Sequence, residues 1–143
     1  MDKSNDYDVW GPRVLTLLRI VVGLLFLEHG TQKLFGFPPS ANPAPALMSL
    51  GGIQGIIELV GGALIVLGLF TRPVAFILSG DMAVAYFMSH FPKGFFPIAN
   101  RGDAAILYCF VFLFLAVAGG GAWSLDGPDR GRAQAPNTRR VPV

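Results

Sequence analysis

Five ionisable side chains lie inside apolar stretches of this sequence: Arg19, Glu28, His29, Glu58 and Asp81. In hydrocarbon such groups are costly unless they are paired or reach water, so each needs a reason. His29 and Lys33 are four residues apart and share one helical face; Gln54 and Glu58 do the same in a second stretch. If the two stretches are neighbouring helices, carboxylate, imidazole, ammonium and amide meet at one level. A carboxylate beside an imidazole that titrates near neutrality, in apolar surroundings, is what a quinone or proton site requires. His29, Lys33 and Glu58 are therefore the candidate catalytic residues and the candidate quinone head-group site, with Glu28 and Gln54 in support. Glu28 follows a different angle, about 100° from His29, and must meet another helix or another subunit. In one small pocket Glu28 and Glu58 would repel unless Lys33 or a proton balanced them. A purely structural ion-pair network, fixing helix register, has the same composition.

Depth along the helices suggests a second pairing. Arg19 lies about 7.5 Å into its apolar stretch and Asp81 about 12 Å into another from the same side. An arginine side chain spans that difference, so an Arg19–Asp81 ion pair is expected to lock the two helices together.

The elements that must carry these groups follow from composition. Apolar residues make up 52% of the 143-residue chain and charged residues 14%, the latter well below the roughly 25% of a soluble domain. So few polar groups cannot cover the surface that a soluble fold of this size leaves exposed. Four apolar blocks run over residues 14–35, 51–70, 73–90 and 103–121, separated by Pro- and Gly-rich segments. As a helix the first is about 33 Å long, close to a hydrocarbon core of about 30 Å. None shows the alternation of a barrel strand. Pro12 is expected just before the first helix, and Thr71 and Arg72 alone separate blocks two and three, which requires an antiparallel hairpin. The expected fold is all-α: a polytopic, antiparallel four-helix transmembrane bundle spanning residues 1–121, with a flexible tail over 122–143. Lys3, Arg13, Arg72, Arg130, Arg132, Arg139 and Arg140 fall on one side of such a bundle, and Lys33, Lys93 and Arg101 on the other. That asymmetry places both termini in the cytoplasm and the loops 36–50 and 91–102 outside.

Other chemistry is weakly represented. Basic residues are scattered or terminal, so nucleic acid is not an expected partner. Lone Cys109 forms no intrachain disulfide and no cysteine-pair motif. His29 and His90 lack a third ligand, so no metal is expected; neither is haem or flavin. Trp10, Trp123 and Tyr108 read as interfacial anchors.

Three stretches together resemble one family: LRIVVGLLFLEHGTQKLFG, residues 18–36; GIIELVGGALIVLGLFTRPVA, residues 55–75; and NRGDAAILYCFVFLFLAVAGGGAWSLD, residues 100–126. The shared motifs are Arg19, His29-Gly30 with Lys33, Glu58 with Gly61-Gly62, Thr71-Arg72-Pro73 and Ser124-Leu125-Asp126. In this combination the chain resembles the DoxX family of small four-helix bacterial membrane proteins. Many relatives read N-G-G-E where this chain has Asn100-Arg101-Gly102-Asp103. The resemblance implies a multi-pass protein of the bacterial plasma (inner) membrane tied to redox metabolism, in contact with lipid and with other membrane redox subunits. It leaves open whether the chain is itself an enzyme. An accessory subunit of a quinone-linked system, a structural or assembly protein, and a small-molecule carrier are the three functional readings. Self-association is a further expectation, drawn from the direction of Glu28.

Overall fold

A backbone surrounded by hydrocarbon must satisfy its own hydrogen bonds, and long apolar stretches ending in proline do so as helices. A computed structural model describes residues 3–127, and every regular element among them is helical. The elements are α1 (Lys3–Phe35), α2 (Leu50–Leu67), α3 (Thr71–Ala85), the single turn α4 (Pro97–Asn100) and α5 (Asp103–Ala118). Beyond Ala85, α3 continues through a π-turn (Tyr86–His90) and a 3-10 turn (Phe91–Lys93), giving one apolar rod of 23 residues from Thr71 to Lys93. Three helices are long and apolar enough to cross a membrane: α1 from Asp8 onward, α2, and this extended α3. α5 is a shorter apolar helix of 16 residues.

Pro12 does not precede the first helix; α1 starts at Lys3 and passes through it. Proline withholds only its own N–H, and its carbonyl is well used here. Pro12 O accepts the Thr16 hydroxyl at 3.0 Å and the Ala122 N–H at 3.0 Å.

α1 packs along α2 at backbone contact. A Cβ on Gly30 would lie 2.5 Å from the Leu59 nitrogen, and one on Gly62 would lie 2.8 Å from the Leu27 nitrogen. Only glycine permits that approach, which replaces the hydrophobic drive lipid does not supply. α3 packs against α5, where the Ser79 hydroxyl donates to Cys109 O at 2.8 Å. Phe26 of α1 meets Phe112 of α5 edge to face at 4.9 Å. Those two residues with Ile65, Leu78, Met82 and Leu115 form the buried core that joins all four long helices.

One end of the molecule is built around the α2–α3 turn. Gly68, at φ 68°, closes α2, and Phe70, at φ 51°, leads into α3. Arg19 is 1% exposed and reaches into this turn from α1. Its Nε donates to Gly120 O at 2.8 Å and its Nη2 to Trp123 O at 2.7 Å. Nη1 donates to Val66 O at 2.6 Å and also to Ile65 O. The expected Arg19–Asp81 pair does not form. The last carbonyls of α2 have no partner within their own helix and carry the negative end of its dipole, so they bind the cation instead.

Residues 122–127, assigned on composition to the tail, are held at this same end. The Asp126 carboxylate accepts the Phe70 N–H at 2.7 Å and the Thr71 N–H at 2.8 Å, capping α3. The Ser124 hydroxyl donates to Gly68 O at 2.7 Å. The start of α3 offers orphan donors in a partly buried turn, and a carboxylate satisfies them. Residues 128–143, the remainder of that tail, lie outside the described residues.

Candidate functional site

At the opposite end α1 and α2 again approach closely, and glycine again decides the geometry. A Cβ on Gly55 would stand 3.0 Å from the Lys33 Cβ, so the lysine stem lies directly over α2. Gln54 and Glu58, one turn apart, are thereby both in reach. The Lys33 ammonium donates to Glu58 Oε1 at 2.7 Å and to Gln54 Oε1 at 3.0 Å. Glu58 is 3% exposed. Its second oxygen, Oε2, is buried and has no protein partner.

These groups face a half-open cavity of about 380 Å³ lined by α1, α2, the extended α3 and the start of α5. Phe26, His29, Lys33, Gln54, Glu58, Met82, Ala85, Ser89, His90, Arg101, Ala104, Ala105 and Tyr108 line it. By their positions along the helices, Phe26, Glu58, Met82 and Tyr108 form the floor, and Ser89, His90 and Arg101 form the mouth. The His29 ring meets Tyr108 edge-on at 5.9 Å, and Tyr108 also packs on Phe26 at 5.5 Å. The chamber therefore combines an apolar aromatic floor with a carboxylate, an ammonium, an amide, two imidazoles and a phenol.

The structure brings His29, Lys33, Gln54 and Glu58 together. Glu28 does not join them; it is exposed and is not part of the cavity wall. Asp81, expected beside Arg19, sits behind Gln54 within the influence of Lys33 and Glu58. Its Oδ2 is a second buried acceptor without a partner. The helix face, not depth alone, decides this: Met82 and Ala85 of the same helix open onto the chamber.

Tyr108, His90 and Arg101 are site residues that the sequence argument placed elsewhere. Tyr108, read as an interfacial anchor, is half-buried on the stripe it shares with the buried Ala105, Phe112 and Leu115, whose three- and four-residue spacing marks an inward face. His90 ends the π-turn, a feature that re-aims side chains and recurs at functional sites. Its Nδ1 lies 3.1 Å from Asn100 O. Asn100, 2% exposed, donates to Gly94 O at 2.8 Å and accepts the Gly102 N–H at 2.8 Å. That fold of the loop leaves Arg101 at φ 61°, a left-handed conformation that suits glycine. A Cβ on Gly102 would lie 2.5 Å from the Tyr86 ring. No group of three or more metal-ligating side chains occurs among the described residues.

A family model described as DoxX matches residues 14–91. An uncharacterised protein of Haemophilus influenzae is 47% identical over 131 residues, covering 85% of this chain and 95% of the relative. An uncharacterised membrane protein of Mycobacterium tuberculosis is 34% identical over 148 residues, covering 90% and 89%. The inner membrane protein YphA of Escherichia coli is 30% identical over 138 residues, covering 85% and 94%. No solved structure matches the chain. With its long apolar helices, this is an all-helical membrane protein, and it belongs to the DoxX family.

Proposed function

We propose that the chain is an accessory or small subunit of a quinone-linked redox system of the bacterial inner membrane. Its cavity receives a ring-sized polar head group and exchanges protons with it. In this reading α1, α2, the extended α3 and α5 are four antiparallel transmembrane helices. Both termini lie in the cytoplasm, and the cavity opens toward the outer face. The excess of Lys and Arg on the side of the α2–α3 turn supports that orientation, and the Escherichia coli relative is described as an inner membrane protein.

The observation that carries the proposal is Glu58: buried, ion-paired through one oxygen, and with its other oxygen unpartnered in a chamber of ligand size. A ring seated on Phe26 and Tyr108 would present a carbonyl oxygen to Lys33, His29 or the Tyr108 hydroxyl. Glu58 would give or take the proton that accompanies reduction or oxidation of the ring, with electrons supplied or removed by a partner subunit. The test is titration of the purified protein with a soluble ubiquinone or menaquinone analogue, wild type against Glu58→Gln. The expected result is saturable binding that the substitution weakens about tenfold, the scale of one hydrogen bond to a charged group. Failure of both proteins to bind, or equal binding by both, contradicts it.

A second reading, assembly without chemistry, rests on Glu28. An exposed carboxylate within an apolar span fits a surface covered by another subunit or a second copy of this chain. It predicts that Glu28→Gln releases a partner during purification, while Glu58→Gln alters protein yield and no ligand affinity.

A further inference from the structure

The two ends of the cavity differ in charge. Around the floor, the lining carboxylate of Glu58 and, behind Gln54 and outside the lining, that of Asp81 stand against the single ammonium of Lys33. At the mouth the order is reversed. Arg101 lines the cavity, and among the described residues it forms no ion pair. Its neighbour Asp103, the first residue of α5, is exposed and does not line the chamber.

Two further features favour negative charge at this place. α5 starts at Gly102 without a side-chain cap, so the N–H groups of its first turn keep their hydrogen-bonding capacity and the positive end of the helix dipole. Ala104 and Ala105 of that turn are cavity residues. Both are small, which leaves the backbone reachable. The unpartnered Oε2 of the almost wholly buried Glu58, on the same cavity wall, is independent evidence that the space holds a ligand.

The backbone adds weight. Arg101 occupies a left-handed conformation that glycine would adopt without cost. A long cationic side chain is held at that position, at the rim of the cavity. Strain retained at a ligand-facing residue points to a binding role for its side chain.

We propose that the mouth of the cavity is an anion subsite. Arg101, with the open first turn of α5, receives a carboxylate or phosphate group carried by the ligand, while the remainder of that ligand reaches Lys33 and Glu58. The inference rests on the reading of the chamber as a ligand site, and it adds the charge the ligand must bear. A guanidinium matches either oxyanion through paired N–H donors. The charged group can belong to a free acid or to a lipid headgroup at the membrane surface.

Two probes with the same ring and the same distal hydroxyl for Glu58 separate charge from shape: 6-hydroxy-2-naphthoate and the neutral 6-hydroxy-2-naphthamide. Binding of each to the full chain is measured in phosphatidylcholine nanodiscs for wild type, Arg101→Gly, Arg101→Lys and Glu58→Gln. Arg101→Gly suits the local backbone, and elution and helicity identical to wild type verify its fold. Wild type is expected to bind naphthoate about tenfold more tightly than naphthamide. Arg101→Gly abolishes that preference, Arg101→Lys keeps part of it, and Glu58→Gln weakens both probes alike. Equal binding of the two probes by wild type, or a preference that survives Arg101→Gly, overturns the anion subsite and leaves the ligand site of Glu58 standing. Absence of binding by either probe overturns both. Adding phosphatidylglycerol to the discs identifies the source. If the Arg101-dependent part of naphthoate binding falls, a lipid phosphate occupies the subsite; if it is unchanged, the ligand is a free acid.

Discussion

Arg19 and Glu58 are both almost fully buried, both charged, and carried on helices whose backbones touch, yet their surroundings are opposite. Arg19 is saturated: four backbone carbonyls receive its guanidinium, and of these Ile65 O alone also accepts a backbone N–H, that of Gly68. Around it Gly68, Phe70, Ser124 and Asp126 close a hydrogen-bonded knot in which a Cβ on Gly68 would lie 2.7 Å from the Ser124 hydroxyl oxygen. Glu58 is half satisfied and borders a chamber of about 380 Å³. A buried charge with every bond made holds helices together. One with a bond to spare, beside a cavity, is where a ligand can gain something. The motifs shared with the DoxX family divide along the same line: Arg19, Thr71 and Ser124-Leu125-Asp126 belong to the knot, and His29, Lys33 and Glu58 to the chamber.

The sharpest break of this comparison comes from Arg19→Met. It strands the carbonyls of Val66, Gly120 and Trp123 and leaves Ile65 O with the Gly68 N–H alone, each buried acceptor costing about 1–3 kcal/mol when unpaired. We expect loss of a monodisperse peak on size-exclusion chromatography in detergent, or a midpoint of thermal unfolding lowered by about ten degrees or more. A folded, near-wild-type protein would show that the knot is not a structural staple. Glu58→Gln should act the other way round. Lys33 keeps Gln54 and is 28% exposed in its side chain, so thermal stability should fall by no more than about 1–2 kcal/mol while ligand affinity falls about tenfold.

Asp126 sharpens the knot further through pH. Burial on its own would raise its carboxyl, but the hydrogen bonds from Thr71 and Phe70 and the charge of Arg19 outweigh that and hold it below the usual carboxylate range. A group depressed on folding contributes stability above its unfolded value, about 3.9 for aspartate, and loses it as pH falls through the lower folded value. Thermal midpoints measured from pH 6 down to pH 3 should therefore drop more steeply for wild type than for Asp126→Asn. At pH 7 the variant should be less stable by about 1 kcal/mol, the usual value of an N-cap. The smallest effect is expected at the mouth of the chamber. Arg101→Gly removes a left-handed non-glycine residue and adds backbone freedom to the unfolded chain, two terms of about 1 kcal/mol and opposite sign. Chemical denaturation should leave the variant within about 1 kcal/mol of wild type.

Much of this arrangement is legible in the sequence, and the limits have physical causes. The four-residue spacings 29/33 and 54/58, with glycines on the facing surfaces, are enough to bring an imidazole, an ammonium, an amide and a carboxylate to one level. Depth arithmetic misjudged Arg19, because it compares side chains with side chains and ignores the carbonyls that a helix end exposes. Asp81 was misplaced with it. Residues 122–127 read as polar tail since composition does not register that α3 begins with donors in need of a cap. Tyr108 could have been found from its stripe. His90 and Arg101 could not, because one depends on a π-turn and the other on a loop conformation fixed by Asn100, and neither leaves a periodic trace.

The most direct test of the central claim is photolabelling. A photoreactive quinone analogue irradiated with the protein in liposomes should attach to peptides containing Tyr108, His29 or Lys33, and an excess of the unlabelled analogue should suppress the attachment. Label spread over lipid-facing residues such as Phe76 and Phe110, unaffected by competitor, would contradict the account.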